Sequence, residues 1–392
     1  MATYEFHMSS RACLATLLLV SSGLGAHAEA PKPKPAFQYQ SPGIEVPAAT
    51  AEEPKMKAYG PESVRAAAKY LDDGAHAWTR ERSCVACHTT GIYMLERPGL
   101  TPLLGRPSDE VYADFVKTIP DKLPEPKVTG GITHYPLADR SVWRSAGLAE
   151  WDKHVTGLLS EATARSLRDM LMRLSSHGGY LVPGEVEIPY VTTDFELTVQ
   201  AARAITAAPG WLAKLKDPEL LQRIDRMKTF LRESRPRNDY ERALKLELAT
   251  LMPELVPQAE RDAAMAMLWQ KQQADGGWST RRMSDTHNWH TPMSEKVLTL
   301  IESQPDAANP GSDAYMTAFA IVLLRENGVP ASDERLQRGI HWLKGEQRAS
   351  GRWWMQSLYR GNYQFSTYIA TVQAMKALAL CGELPAKSVS LK

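Results

Sequence analysis

Cysteine is scarce: four residues in 392, at positions 13, 84, 87 and 381. Exported scaffolds held together by disulfides are small and carry many cysteines in even number, so cross-linking is not how this chain is stabilised. An excess of charge is missing as well. Forty-six Lys and Arg face 45 Asp and Glu, and no block of like sign stands out, which speaks against a nucleic-acid partner or an anionic membrane surface. Beyond the N-terminus no apolar run is long enough to span a bilayer, so the mature chain has no expected transmembrane segment. Two-residue alternation is also absent, and strands should be few. Phenylalanine (7) is outnumbered by Trp (10) and Tyr (14); amphipathic aromatics suit a half-wet cavity or rim.

What is present begins with an export signal. Arg11 precedes the apolar run LATLLLV (14–20), and AHA (26–28) fits the small-x-small cleavage rule. Residues 1–28 therefore read as a signal peptide, which would carry Cys13 away and leave a periplasmic or secreted protein. Residues 29–59 are rich in proline and lack helical period, the composition of a linker or of an extended arm laid over a domain. Residues 60–385 form the expected folded domain, and 386–392 a short C-terminal tail.

Helix signals fill that domain. Pro61 opens one helix; Ser160, Asp217, Ser312-Asp313 and Ser332-Asp333 are expected N-caps; Gly328 and Gly382 stand at helix ends. About 12 helices result, an all-α chain. Segments also repeat. LWQKQQADGGW (268–278) aligns with LKGEQRASGRW (343–353), matching Gln272 to Gln347, Gly276 to Gly351 and Trp278 to Trp353. A worn copy, MLMRLSSHGGY (170–180), puts His177 where Asp275 stands later. Each motif is followed by a helix of shared vocabulary, and Thr-Val-Gln-Ala recurs unchanged at 198–201 and 371–374.

The QADGGW turn resembles the Gln-Trp repeat of the prenyltransferase and squalene-cyclase superfamily. The resemblance covers 260–382 well and 160–210 less well. It implies an α/α toroid of about six helical hairpins, with the Pro-rich arm at its N-terminus. It does not carry the family's classical chemistry with it. The Asp-x-Asp-Asp acid of a squalene-type cyclase is absent, and Asp72-Asp73 reads as a solvated helix face. Cys381 lacks the neighbours of a prenyltransferase zinc site and reads as a small buried residue.

Chemistry is concentrated in CVACH (84–88). Two thiols three apart can add across the two vinyl groups of a porphyrin, and the next residue then lies under the iron. Cys84 and Cys87 are thus the expected attachment points of one covalent haem c, and His88 its proximal ligand. A redox dithiol, half a zinc site and a structural disulfide are the competing readings. Register puts the motif in the first repeat's turn, on the rim of the ring that also bears the Gly-aromatic turns. For the distal position the candidates are His177, His290, His287 and Met283, with His134 and Met94 also available. Arg80, Arg82 and Arg97 flank the motif and are placed to meet haem propionates. The expected function is electron transfer or haem-dependent oxidoreduction, with a redox protein or a quinone-like or isoprenoid molecule as partner. Two alternatives stand beside it: a toroidal lyase or terpenoid-binding enzyme with accessory haem, marked by an acid or Tyr/His/Arg cluster remote from the iron, and a non-catalytic assembly module.

Overall fold

The computed structural model describes residues 37–82, 84–182, 190, 193–289, 294–359 and 363–384. Residues 1–28, expected to be a signal peptide, and 386–392, the expected C-terminal tail, lie outside them. Along the chain an outer helix alternates with an inner one. The first pair is α1 (Pro61–Arg82) and α2 (Ile92–Glu96), the latter extended backwards by a π-helical turn, Cys87–Gly91. After the short α3 (Thr101–Leu104) come α4 (Asp109–Lys117) and α5 (Ala138–Trp151), then α6 (Glu161–Met172) and α7 (Asp194–Ala207). The short α8 (Trp211–Lys214) leads to α9 (Pro218–Glu233) and α10 (Asp239–Leu251). Then α11 (Gln258–Lys271) precedes α13 (Ala314–Glu326), with α12 (Glu295–Glu302) in the loop between, and α14 (Glu334–Glu346) precedes α15 (Tyr363–Leu380).

The inner helices close a ring: α2 packs on α5, α5 on α7, α7 on α10, α10 on α13, α13 on α15, and α15 back on α2. Six hairpins make an α/α toroid, as the repeats imply. Sequence explains which helix goes where. α13, AYMTAFAIVLLRE, is apolar all round and almost wholly buried, whereas α14, ERLQRGIHWLKGE, buries one stripe through Leu336, Ile340 and Leu343. The side chains of Ser160, Asp217, Asp313 and Asp333 each accept a backbone N–H at the start of their helices.

The repeated turns have a common construction. Tyr180, Trp278 and Trp353 are fully buried, and each side chain donates to the carbonyl ten residues earlier, those of Met170, Leu268 and Leu343. Their backbone N–H groups donate to Thr198, Thr317 and Thr371 of the following inner helices. Gly178, Gly276 and Gly351 have φ near +90°, and a Cβ on each would strike the next outer helix, at Arg226, Arg338 and Ala66 respectively. Gln272 and Gln347 tie each turn outward, donating to the carbonyls of Arg335 and Ser63. The Gly351 turn thereby joins the last hairpin to the first and seals the ring.

Among the described residues strands are few, as expected: β1 (Phe37–Ser41) pairs with β2 (Ile44–Pro47), and β3 (Lys127–Thr129) with β4 (Ile132–His134). The first hairpin moves the domain boundary. The compact unit begins at Ala36 rather than at residue 60, because Tyr39 lies edge-on to Tyr368 at 5.4 Å and Arg352 donates to the carbonyls of Pro47 and Ala48. An arm laid over the domain was one of the two readings of that proline-rich composition.

Candidate functional site

Cys84–His88 lies between α1 and the inner helix it leads into. Neither Cys84 nor Cys87 is in a disulfide, and both are partly exposed. The His88 ring stacks on Phe365 at 3.8 Å and meets the edge of Trp78 at 5.0 Å, while its Nδ1 is hydrogen-bonded to Thr89 Oγ1 at 2.9 Å. This donor set fits covalent haem: two thiols at the right spacing and an imidazole oriented through Nδ1. It does not resemble a zinc cage, since among the described residues no three His, Cys, Asp or Glu gather at metal distance.

The expected propionate partners are otherwise engaged. Arg97 is buried, donates to the Gly105 carbonyl at 2.9 Å and lies 3.4 Å from Asp72; Arg80 is bidentate to Glu110. Arg82 rests near the Trp78 ring. Asp72 is therefore no solvated face, for it also accepts from the Tyr93 hydroxyl at 2.8 Å. The guanidiniums bordering Cys84 are Arg140, Arg144 and Arg173, around a cavity of about 170 Å³. Of the distal candidates, His177 lies against Phe230 of α9 and pairs with Asp194 of α7 at 3.3 Å. Met283 is buried and His287 exposed in the loop after Trp278. These surroundings are not those of His88, and His290 lies outside the described residues.

A second cluster lies at the other end of the inner helices. His88 and Glu96 are eight residues apart on one inner strut, about 12 Å along its axis. Five of the six inner helices contribute one glutamate each to the centre: Glu96, Glu150, Glu247 and Glu326 near their C-terminal ends, and Glu196 from the first turn of α7, nearer the opposite rim. The sixth contributes Lys376, and α7 adds Arg203. Arg203 donates to Glu96 at 2.7 Å and to Glu150 at 2.6 Å; Lys376 lies 3.2 Å from Glu96 and 3.1 Å from Glu326. The Tyr240 hydroxyl donates to Glu196 at 3.0 Å and is hydrogen-bonded to that of Tyr315 at 2.7 Å.

These acids differ in character. Burial opposes ionisation of Glu96, but Arg203 and Lys376 outweigh it and hold the carboxyl below its usual range. Glu150 is lowered further, burial again opposing and Arg203 leading the attraction. For Glu247 burial wins, and its carboxyl is raised despite Arg203, Lys376 and the Gln200 amide. Buried neighbours with opposed shifts are the usual basis of proton donor and acceptor roles.

The cluster borders open space. A cavity of about 580 Å³ opens at the C-terminal ends of the inner helices, its wall aliphatic through Leu100, Leu103, Leu251 and Leu380 and its floor formed by the charged groups. Beneath it, sharing Glu96, Arg203, Glu247, Glu326 and Lys376, is a central void of about 20 Å³. Tyr190, Gln200 and Gln373 line that void, and Tyr190 Oη, Gln200 Oε1 and Gln373 Oε1 are buried with no hydrogen-bond partner among the described residues.

The charged residues of the centre, Glu96, Glu150, Glu247, Arg203 and Lys376, were not singled out from sequence, yet a signal exists. The recurring Thr-Val-Gln-Ala puts Gln200 and Gln373 at the same position of α7 and α15, and a cation follows three residues later in both, Arg203 and Lys376. In the closed ring those two helices stand opposite each other.

No family model matches the chain, and no curated relative matches it. Solved structures resemble it at low identity and with TM-scores below 0.5. It resembles ent-copalyl diphosphate synthase from Streptomyces platensis (15% identity, TM-score 0.45) over 75% of this chain, which spans about half (50%) of the synthase's length. It also resembles the type II terpene cyclase MstE from Scytonema (15%, TM-score 0.42), over 82% of this chain and 97% of the cyclase. A glycosidase is similar at 13% identity and TM-score 0.43, over 89% of this chain and 94% of the glycosidase. These likenesses concern the fold alone. No helix among the described residues is long and apolar enough to cross a membrane.

Proposed function

We propose that the protein is a toroidal lyase or terpenoid-binding enzyme whose site is the central channel, with a covalent haem c at the opposite rim as an accessory group. The observation that carries this reading is the division of the channel: an aliphatic mouth leads to a floor of Glu96, Glu150, Glu247 and Glu326 with Arg203 and Lys376, and beneath it to three buried polar atoms with no hydrogen-bond partner among the described residues. Aliphatic walls suit an isoprenoid-like chain. The floor suits proton transfer, with Glu247 as donor and the ionised Glu96 and Glu150 fixed by Arg203. Farnesol is a fitting probe: it should bind the full-length protein in calorimetry, and Leu251→Trp, which fills the mouth, should abolish binding without unfolding. Binding that survives Leu251→Trp, or no binding, would overturn the assignment.

A second reading, a c-type redox protein working with a partner protein or a quinone-like molecule, is favoured by the Cys84, Cys87 and His88 donor set. Haem supplies one-electron redox chemistry when bound. Cys84 and Cys87 would fix it by thioethers, His88 would ligate it, and Thr89 would hold the His88 ring at Nδ1. Such attachment belongs outside the cytoplasm, which agrees with an export signal and a periplasmic or secreted protein. A pyridine haemochrome spectrum and intact mass, on protein made with a haem-attachment system, decide it: a c-type band with the mass of one haem supports the motif. Haem lost to acid-acetone, or unmodified mass, refutes it.

A further inference from the structure

The central void lies deeper than the aliphatic mouth and has its own chemical demand. Its volume, about 20 Å³, admits one group the size of a water molecule. Two of the polar atoms facing it are carbonyl oxygens, Gln200 Oε1 and Gln373 Oε1, each on a side chain only 5% exposed. The orientation of Gln200 is fixed, because its Nε2 donates to Glu247 at 3.0 Å. Neither oxygen has a donor among the described residues, and the one other unpartnered group lining the void, the Tyr190 hydroxyl, carries a single O–H for two acceptors. Arg203 and Lys376, the cations at hand, are already engaged by Glu96, Glu150 and Glu326.

Charge points the same way. Four glutamates, Glu96, Glu196, Glu247 and Glu326, line the void against Arg203 and Lys376, more acids than bases, while Lys153 and His154 stand with Glu150 at the mouth above it. The inner helices run parallel, so their C-terminal ends converge on the mouth and add the negative poles of their dipoles. Glutamates at such ends are unfavourable alone and become favourable beside a cation. A buried acceptor left unpaired costs about 1–3 kcal/mol, and two such acceptors on opposite staves are a demand that one small donor group between them would meet.

Resting on the channel reading above, we infer that the channel's ligand is an aliphatic primary amine: its ammonium group enters the central void between Gln200 and Gln373, and its hydrocarbon lies along Leu100, Leu103, Leu251 and Leu380. An ammonium group is close to water in size and offers three N–H donors, which match the two glutamine oxygens and the glutamate floor. A carboxylate or phosphate head would face net negative charge and bring no donor.

The test compares octylamine, octanol and octanoate by calorimetry on the full chain, then repeats the series on Gln200→Leu and Gln373→Leu checked by circular dichroism. Octylamine should bind at least tenfold more tightly than the other two, and each variant should weaken octylamine at least tenfold while leaving octanol unchanged. If octanol or octanoate binds as well as octylamine, the ammonium assignment fails while the channel stands. If none of the three binds, the channel reading fails with it. Octylamine binding that is indifferent to both folded variants places the amine elsewhere and also overturns the proposal.

Discussion

The two ends of the inner helices are built on opposite plans. At the N-terminal rim, Tyr180, Trp278 and Trp353 repeat one hydrogen-bond pattern three times, every polar partner is backbone or threonine, and the aromatic plugs the gap between hairpins. Toward the C-terminal ends the staves carry unlike groups, and some buried acceptors have no partner. Repetition here marks what holds the ring together. Departure from repetition marks where the molecule keeps charge at the cost of stability.

That contrast can be broken most forcefully at Arg203. Arg203→Leu leaves Glu96 and Glu150 buried without their principal cation, and breaking such a pair costs about 3–5 kcal/mol. Urea denaturation should show the loss, and Arg203→Lys should recover part of it; an unchanged midpoint would mean that the glutamates are not held ionised. A rim substitution comes next. Gly351→Ala forces a side chain into a backbone with φ +93° and sets its Cβ 2.3 Å from Ala66, so about 1–3 kcal/mol should be lost with farnesol affinity unchanged in the folded fraction. If farnesol binding falls with it, rim and channel are not separable.

The next effect depends on pH. Burial raises the Asp313 carboxyl to about 6 against its helix-cap hydrogen bonds. The folded state thus favours the protonated form, and stability from this group declines as pH rises from about 4 through about 6. Asp313→Asn should gain on the wild type over that interval, by up to about 3 kcal/mol; melting curves at closely spaced pH values would show it, and a constant difference would contradict it. The smallest effect is expected at Trp353→Phe, which keeps the plug but removes the donor to Leu343 at 2.7 Å. A loss of about 1 kcal/mol in denaturation would separate plugging from hydrogen bonding.

The rim was legible because its residues are governed by local rules. A positive φ requires Gly276 and Gly351, the start of an inner helix calls for Asp313, and a gap of fixed size selects tryptophan; spacing reveals all of these. CVACH stands out as a motif for a similar reason, being five consecutive residues, and its haem awaits the haemochrome test. The channel was not, because Glu96, Glu150, Glu247 and Lys376 come from four helices far apart in sequence and meet only when the ring closes. Arg203 and Lys376 did carry a trace, each three residues after a repeated glutamine, but a cation in a helix ordinarily means solvent. Asp72 misled in the opposite sense, an acid beside another acid that turned out to serve Tyr93 and Arg97.

One measurement goes to the centre of this account: amide hydrogen exchange by mass spectrometry on the full-length protein, with and without farnesol. Ligand in the channel should slow exchange at the C-terminal ends of the inner helices, around Leu95–Leu103, Glu247–Leu251 and Lys376–Leu380, and leave the Gly-aromatic turns unchanged. Protection confined to the turns at Gly178, Gly276 and Gly351 would contradict it, placing the functional surface on the rim and reducing the glutamate floor to structure.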